Sequence, residues 1–445
     1  MMPTKRLLSY LYSDYGMLVV LVLLGIIISL GTIKTQYPEG SAAGAALSED
    51  ILAVEDQAAR VLIVARATEG DQPFVDELRE RLGSRVIGVV KGNAQDVRVE
   101  LKRLNDANAT LTVIAANQAT AHWAVLEGIE ARFPKLGSPS VMAPTGYQWP
   151  TFLNQENLIN VANQIVVIAI IAIGMTMVII TAGIDLSVGS LIALSAVLAA
   201  WLIKNVFGGF EASVFGILVS CLAAIMLCGL VGFFTGSMVT GFGIPPFIVT
   251  LAMMLVASGA AFMITDGNSI NEIPPGFKWL GIQADLGVPN AVLLMVILYV
   301  AAHILMEHTA LGRYIYAVGG NPEAARLSGV PVKRVLILVY TICGTLAGLG
   351  GIIVASQLQS GDPNYGVLVE LMVIAAVVVG GTSLLGGEGK IFGTLIGAFI
   401  IAVIQNGMNL MGLKSYPQKV MLGLVILGAV LLDQMKKNAM AKSNH

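Results

Sequence analysis

GGNPEAARLSGVPVKR, residues 319–334, is a polar island with a basic end, set between long apolar segments at 288–306 and 335–355. Its residues follow the order of a short, water-exposed helix. Asn321 is placed as a cap, and Pro322 suits a first turn. Glu323 complements the positive end of the helix dipole, Ala324 and Ala325 favour helix, Arg326 follows, and Gly329 stops it. A helix this short is not stable alone in water, so the sequence predicts a partner surface for it. A plain loop is the bland alternative.

The surroundings of the island decide the class. The chain has 445 residues, of which 56% are hydrophobic and 12% charged, against roughly 25% charged in soluble domains. This composition marks an integral membrane protein, and a net charge of -2 offers nothing for nucleic acid. A helix needs about 20 apolar residues to cross the hydrocarbon core. The apolar runs are 16–33, 158–181, 187–203, 213–237, 245–265, 288–306, 334–356, 367–384, 391–411 and 418–433. The expected fold is an α-helical polytopic membrane protein of about ten transmembrane helices.

An even number of spans puts both termini on one side. Lys5 and Arg6, the 307–334 loop with Arg313, Arg326, Lys333 and Arg334, and the tail with Lys436, Lys437 and Lys442 then share that side. The positive-inside rule makes it the cytoplasm. The opposite loops, 266–287 and 357–366, carry Asp266, Glu272, Asp285 and Asp362 with a single Lys278. The first run, followed by SAAGAA at 41–46, reads as a retained anchor, with a cleaved signal peptide as the alternative.

Residues 34–157 read differently. VLIVA (61–65), VIGVV (86–90) and LTVIAA (111–116) are strand-like, whereas 74–82, 96–107 and 120–133 have helical spacing. The alternation predicts a small parallel α/β domain, extracytoplasmic by the span count. It resembles one lobe of a periplasmic sugar-binding protein. That likeness would put a ligand at strand C-terminal ends, near Asn117 and Gln118, unless the lobe is a scaffold without ligand. The expected division is therefore 1–33 for the first span, 34–157 for the outer domain, 158–433 for the membrane region and 434–445 for a cytoplasmic tail.

Within the membrane region, TAGIDLSVGS (181–190) interrupts an apolar run with Asp185. A carboxylate at that depth is costly unless it is paired or solvated. Asp185 and Ser187 read either as a cap on the following helix or as part of a translocation path or gate. Glu370, near the outer end of a span after Asp362, Asn364 and Tyr365, reads either as a solvated helix start or as part of a polar mouth on a translocation path or gate. The Gly-rich turn at 380–389 lacks the G-x-x-x-x-G-K-[ST] order, because Ile391 follows Lys390. No nucleotide motif, catalytic constellation, metal-ligand spacing or cofactor motif is present. Cys221, Cys228 and Cys343 lie in apolar runs and read as small core residues.

GGNPEAARLSGVPVKRV, GIDLSVGS, AVVVGGTSLLGGEGKIFGTLIGA (376–398) and QNGMNLMGL (405–413) together resemble the membrane permease of bacterial ribose-type sugar ABC importers. The likeness covers about 158–433. It implies a multi-pass protein of the bacterial inner membrane that moves a monosaccharide and is not itself an enzyme. The implied partners are a separate ABC ATPase subunit, a periplasmic substrate-binding protein and a second permease copy. In that family the loop matching Asn321–Gly329 carries the helix that docks on the ATPase. The long insertion at 34–157 departs from the family pattern. Importers of nucleosides or branched-chain amino acids, and a membrane sensor using the outer domain, are the alternatives.

Overall fold

The computed structural model describes residues 16–54, 59–425, 427, 428 and 431. Lys5, Arg6, Lys436, Lys437, Lys442, the end of the 418–433 run and the 434–445 tail lie outside the described residues. The chain divides into two compact units, one formed by 1–32 with 151–445 and the other by 33–150. The first element, α1 (Gly16–Gly31), belongs to the larger unit.

The smaller unit runs β1 (Ile33–Gln36), α2 (Gly40–Val54), β2 (Val61–Ala65), α3 (Gln72–Leu82), β3 (Val86–Lys91), α4 (Ala94–Asp106), β4 (Val113–Ala116), α5 (Ile129–Arg132), β5 (Ser140–Met142) and β6 (Tyr147–Pro150). Strands β3-β2-β4-β5 form a parallel sheet in that order, and β1 pairs antiparallel with β6. Alternate residues of a strand face opposite sides. Leu62, Val64 and Ile114 therefore meet Val97 and Leu101 of α4, while Val61, Ile63 and Val113 meet Leu47 of α2 and Leu78 of α3. Burial on both faces explains why β2 and β4 are continuous apolar runs. SAAGAA lies within α2, where Gly44 packs on the Phe74 carbonyl and Glu77.

One predicted helix of this unit does not form as read. Between 120 and 133 there is a 3-10 turn at Ala124–Leu126 and the four-residue α5. Gly128, at φ +60°, breaks the chain between them, and Thr120 Oγ1 instead donates to the Val64 carbonyl at 3.1 Å. Apolar periodicity survives the break because Val125, Leu126 and Ile129 still enter the core.

The larger unit continues with α6 (Gln155–Ile180), α7 (Val188–Asn205), α8 (Val214–Phe242), α9 (Pro246–Thr265), α10 (Lys278–Gly281), α11 (Asn290–His308), α12 (Ala310–Gly320), α13 (Pro322–Leu327), α14 (Val332–Leu358), α15 (Val369–Val379) and α16 (Ile391–Leu410). Among the described residues seven helices, α6, α7, α8, α9, α11, α14 and α16, are long and apolar enough to cross a membrane. Helix α1 has 16 residues, and residues 415–425, 427, 428 and 431 are helical. The predicted 367–384 span is the largest departure, since α15 has only 11 residues. Gly366 at φ +78° and Leu368 at φ +66° keep the chain before it out of the helix, and Gly381 at φ +88° follows its end.

Helices α6 and α14 form the centre. The most apolar window of α6 is 83% buried, against 28% for α8, which exposes Leu222, Met226, Leu230 and Phe233 as lipid would require. Where lipid is as apolar as the side chains, helices associate through small residues and hydrogen bonds. Gly348 of α14 packs on Cys228 of α8, and Gly174 of α6 packs on the Cys343 backbone of α14. Tyr299 Oη donates to the Ala169 carbonyl at 2.8 Å, and Ser195 Oγ to the Gly348 carbonyl at 2.7 Å. These polar groups are satisfied inside the bundle.

Candidate functional site

Helix α13 is built from the island residues. Asn321 Oδ1 accepts from the Ala324 amide at 3.0 Å, Pro322 opens the helix, and Glu323 lies in its first turn. The Val330 amide returns to the Ala325 carbonyl at 3.0 Å, and Gly329 takes φ +85°, closing the end. Ala325 is buried and anchors the turn against the bundle. Glu323, Arg326 and Leu327 project outward, with Leu327 81% exposed. The Arg326–Glu323 ion pair, at 2.8 Å, has both side chains in solvent and contributes little to stability. The exposed leucine thus lies between opposite charges on the surface of the turn.

This surface is tied to the bundle through backbone. Gly319, near the end of α12, packs directly on the Ile180 carbonyl at the C-terminus of α6. The Gly387 amide donates to the same carbonyl at 2.8 Å, and Gly386 touches the Gly319 carbonyl. Tyr316 Oη also donates to the Gly389 carbonyl at 2.8 Å. The Gly-rich turn 380–389, unexplained by any nucleotide motif, is therefore a packing joint. A Cβ at Gly319 would strike backbone on two sides, so only glycine allows the three segments to meet.

The α6 chain ends at this joint and breaks before α7 begins. Asp185 is buried, and its Oδ1 accepts from the Ser187 amide at 2.9 Å and from Ser187 Oγ at 2.6 Å. The Thr250 hydroxyl donates to the Ile184 carbonyl at 3.3 Å, holding the break against α9. Cys343 approaches the Asp185 carboxyl, and the neighbouring Tyr340 Oη has no hydrogen-bond partner among the described residues. Asp185 thus organises the turn that launches α7.

Glu370 lies in the first turn of α15, where its carboxylate packs over Gly189, two residues past Ser187. Gly366 packs on the Gly189 carbonyl in the same place. Two helices that both begin after broken chain, α7 and α15, consequently meet at their N-termini. Glu370 lines a cavity of about 230 Å³ there with Gly189, Ser190, Met254, Ser258 and Tyr365. Interrupted helices mark substrate paths in many transporters. Asp185 and Ser187 do not line this cavity.

A second cavity, of about 520 Å³, lies at the other end of α6. It is lined by Asn160, Asn163, Gln164, Ile282, Pro289 and Gln357. None of these residues stood out in the sequence. The signal was present: Asn157, Asn160, Asn163 and Gln164 repeat at intervals of three and four, one polar stripe on a helix that becomes apolar after it.

The smaller unit uses its polar tip internally. Asn117 Oδ1 accepts from the Thr120 amide at 3.1 Å and from Thr120 Oγ1 at 2.9 Å. Gln118 approaches only His122, at 3.4 Å. Beside them the Arg66 guanidinium donates to both oxygens of Asp71 at 3.0 and 3.1 Å. Burial pushes the Asp71 carboxyl up, but hydrogen bonds from Arg66 and Asn117 outweigh it and hold the group below its usual range.

The Branched-chain amino acid transport system / permease component family matches residues 157–431. The chain belongs to this permease family. Its similar relatives include the ribose import permease RbsC of Escherichia coli (strain K12), 47% identical over 292 residues, which are 65% of this chain and 88% of the relative. RbsC of Bacillus subtilis (strain 168) is 44% identical over 289 residues, covering 64% and 87%. The D-allose transport system permease AlsC of Escherichia coli (strain K12) is 34% identical over 284 residues, covering 64% and 85%. No solved structure matches the chain. The family match begins at residue 157, so the unit 33–150 lies outside it.

Proposed function

We propose that the chain is the membrane subunit of an ABC importer that moves a monosaccharide across the bacterial inner membrane. The observation that carries this reading is the island geometry: a capped, exposed short helix joined by backbone contacts to the central helix of the bundle. The names of relatives that import ribose and D-allose supply the substrate class. A separate ATPase subunit docks on Glu323, Arg326 and Leu327, a second permease copy completes the path, and a substrate-binding protein delivers the sugar.

In this reading the chain crosses the membrane ten times, with both termini and α13 in the cytoplasm. α1 and the 418–433 segment cross as spans, and α15 is half a span preceded by the turns of 363–368. The 33–150 domain then lies outside. With the Asn117 side chain bonded to Thr120, that domain serves best as a docking or delivery module rather than a ligand clamp. The Asp185 break and the Glu370 cavity lie on the path and change shape when α13 is pushed.

Reconstitution with the ATPase and the binding protein tests the assignment. ATP-dependent uptake of labelled D-ribose or D-allose, but not of L-leucine or a nucleoside, is the expected result. Uptake of leucine alone would replace the sugar by a branched-chain amino acid. ATP-independent uptake by the chain alone would remove the ATPase partner from the scheme.

A further inference from the structure

We propose that the amide-lined cavity at the outer end of α6 is a binding site for a neutral, polyhydroxylated ligand of monosaccharide size. This inference rests on the sugar-importer reading and names the place where the permease itself holds the sugar. Helix α6 has 26 residues, and Asn160 lies about 30 Å along it from the Ile180 joint beside α13, about the thickness of a membrane's hydrocarbon core. The cavity is therefore on the side from which cargo arrives.

Its chemistry is selective. Asn160, Asn163 and Gln164 contribute amides from α6, and Gln357 contributes one from the end of α14. Gln357 Nε2 donates to Asn163 Oδ1 at 3.3 Å, which sets the two helices' amides beside each other. The side chains of Asn160 and Gln164 have no hydrogen-bond partner among the described residues, and Asn163 Nδ2 donates to none of them. Each carboxamide offers donors and an acceptor on one planar group, which matches hydroxyls that must do both. No ionisable side chain lines the cavity, so the carboxylate and ammonium of an amino acid would enter it unpaired.

Ile282 and Pro289 close the other side with apolar surface that suits the C–H face of a sugar ring. The volume of about 520 Å³ falls within the range of small-molecule sites. Exposed amides at the outer end of a spanning helix face water, which the hydroxyls of a polar ligand can displace without loss of hydrogen bonds.

The test uses the whole transporter with its ATPase and binding protein. Asn160→Leu and Gln164→Leu should each raise the half-saturating D-ribose concentration about tenfold, the loss of one hydrogen bond. Preference between D-ribose and D-allose should change as well, which a purely structural defect would not produce. If a leucine variant fails to insert, Gln164→Cys in a Cys221→Ala background supplies the answer. Labelling of the new thiol by a membrane-impermeant maleimide should be slowed by D-ribose and not by L-leucine. Unchanged half-saturation and preference in an inserting variant, or unslowed labelling, overturns the site while wild-type sugar uptake stands. Absence of sugar uptake by the wild-type transporter overturns the functional reading instead.

Discussion

The two ends of α6 are held by different means. At the C-terminal end, the Ile180 carbonyl receives the Gly387 amide and packs on Gly319, with no side chain between the segments. At the N-terminal end the contacts are amide side chains: Asn157 with Asn406, and Asn163 with Gln357. Backbone contacts have no rotamers to change and transmit displacement directly, whereas side-chain amides can exchange partners with a ligand. The difference matches the two tasks of an importer, force received at one end and cargo recognised at the other.

The comparison breaks most completely at the glycine joint. Gly319→Val places side-chain carbon against the Ile180 carbonyl and the Gly387 amide, and overpacking typically costs about 1–3 kcal/mol, the upper end applying where backbone is struck on two sides. The expected outcome is loss of most correctly inserted protein, read as membrane abundance and thermal stability in detergent. Near-normal levels would show that the joint yields, and the idea of a rigid link would fall. Glu323→Lys should then separate docking from folding. Its ion pair with Arg326 is exposed on both sides, so stability should change by less than about 0.5 kcal/mol. Under the proposed docking role, uptake should nevertheless fall at least about tenfold, because charge is reversed on the surface assigned to the partner. Equal loss of abundance and uptake would make α13 merely structural.

Different parts of this behaviour were legible to different degrees. The short helix α13 could be read because its signals are local: Asn321, Pro322, Glu323 and Gly329 each act within one turn. The long spans could be read because hydrophobicity accumulates along the chain. The joint could not, since its meaning depends on which segments meet. Gly319, Gly386 and Ile180 are far apart in sequence, and a Gly-rich turn looks the same whether it holds phosphate or another backbone. Likewise 367–384 has the composition of a span. Only the backbone angles at Gly366 and Leu368 reveal that helix begins at Val369. The amides of α6 were visible as letters, but their grouping into a cavity required Gln357 from α14.

The other end of α6 offers a smaller, graded test. Asn157 and Asn406 are buried and exchange two hydrogen bonds, at 3.0 and 2.9 Å, and Asn157 also donates to the Phe152 carbonyl at 2.9 Å. Between membrane helices such side-chain pairs are worth about 0.6 kcal/mol on average and up to about 1.7. A double-mutant cycle of Asn157→Leu and Asn406→Leu, read by unfolding in detergent, should give a coupling within that range. A coupling near 3 kcal/mol or more would make the amide end as rigid as the glycine end, and the contrast would vanish.

The smallest effect should come from the 33–150 domain. Asp71 has its carboxyl held below the ordinary value, with burial opposing the shift and the Arg66 and Asn117 hydrogen bonds outweighing it. A depressed folded-state value stabilises the ionised form. The contribution is therefore fully present above the unfolded value of about 3.9 and is lost as pH falls through the lower folded value. Because the Arg66 side chain is 49% exposed, water screens the pair and its worth is held to about 1 kcal/mol or less. Hydrogen exchange of β2 and α3 in the full chain should show Asp71→Asn less protected than wild type at pH 7, with the gap shrinking as pH drops below about 4. A gap that widens on acidification would reverse the sign and make the Arg66–Asp71 pair a net burden on the domain. Neither result should alter the detergent stability of the membrane unit, because Arg66 and Asp71 bond to one another and to Asn117, all within 33–150.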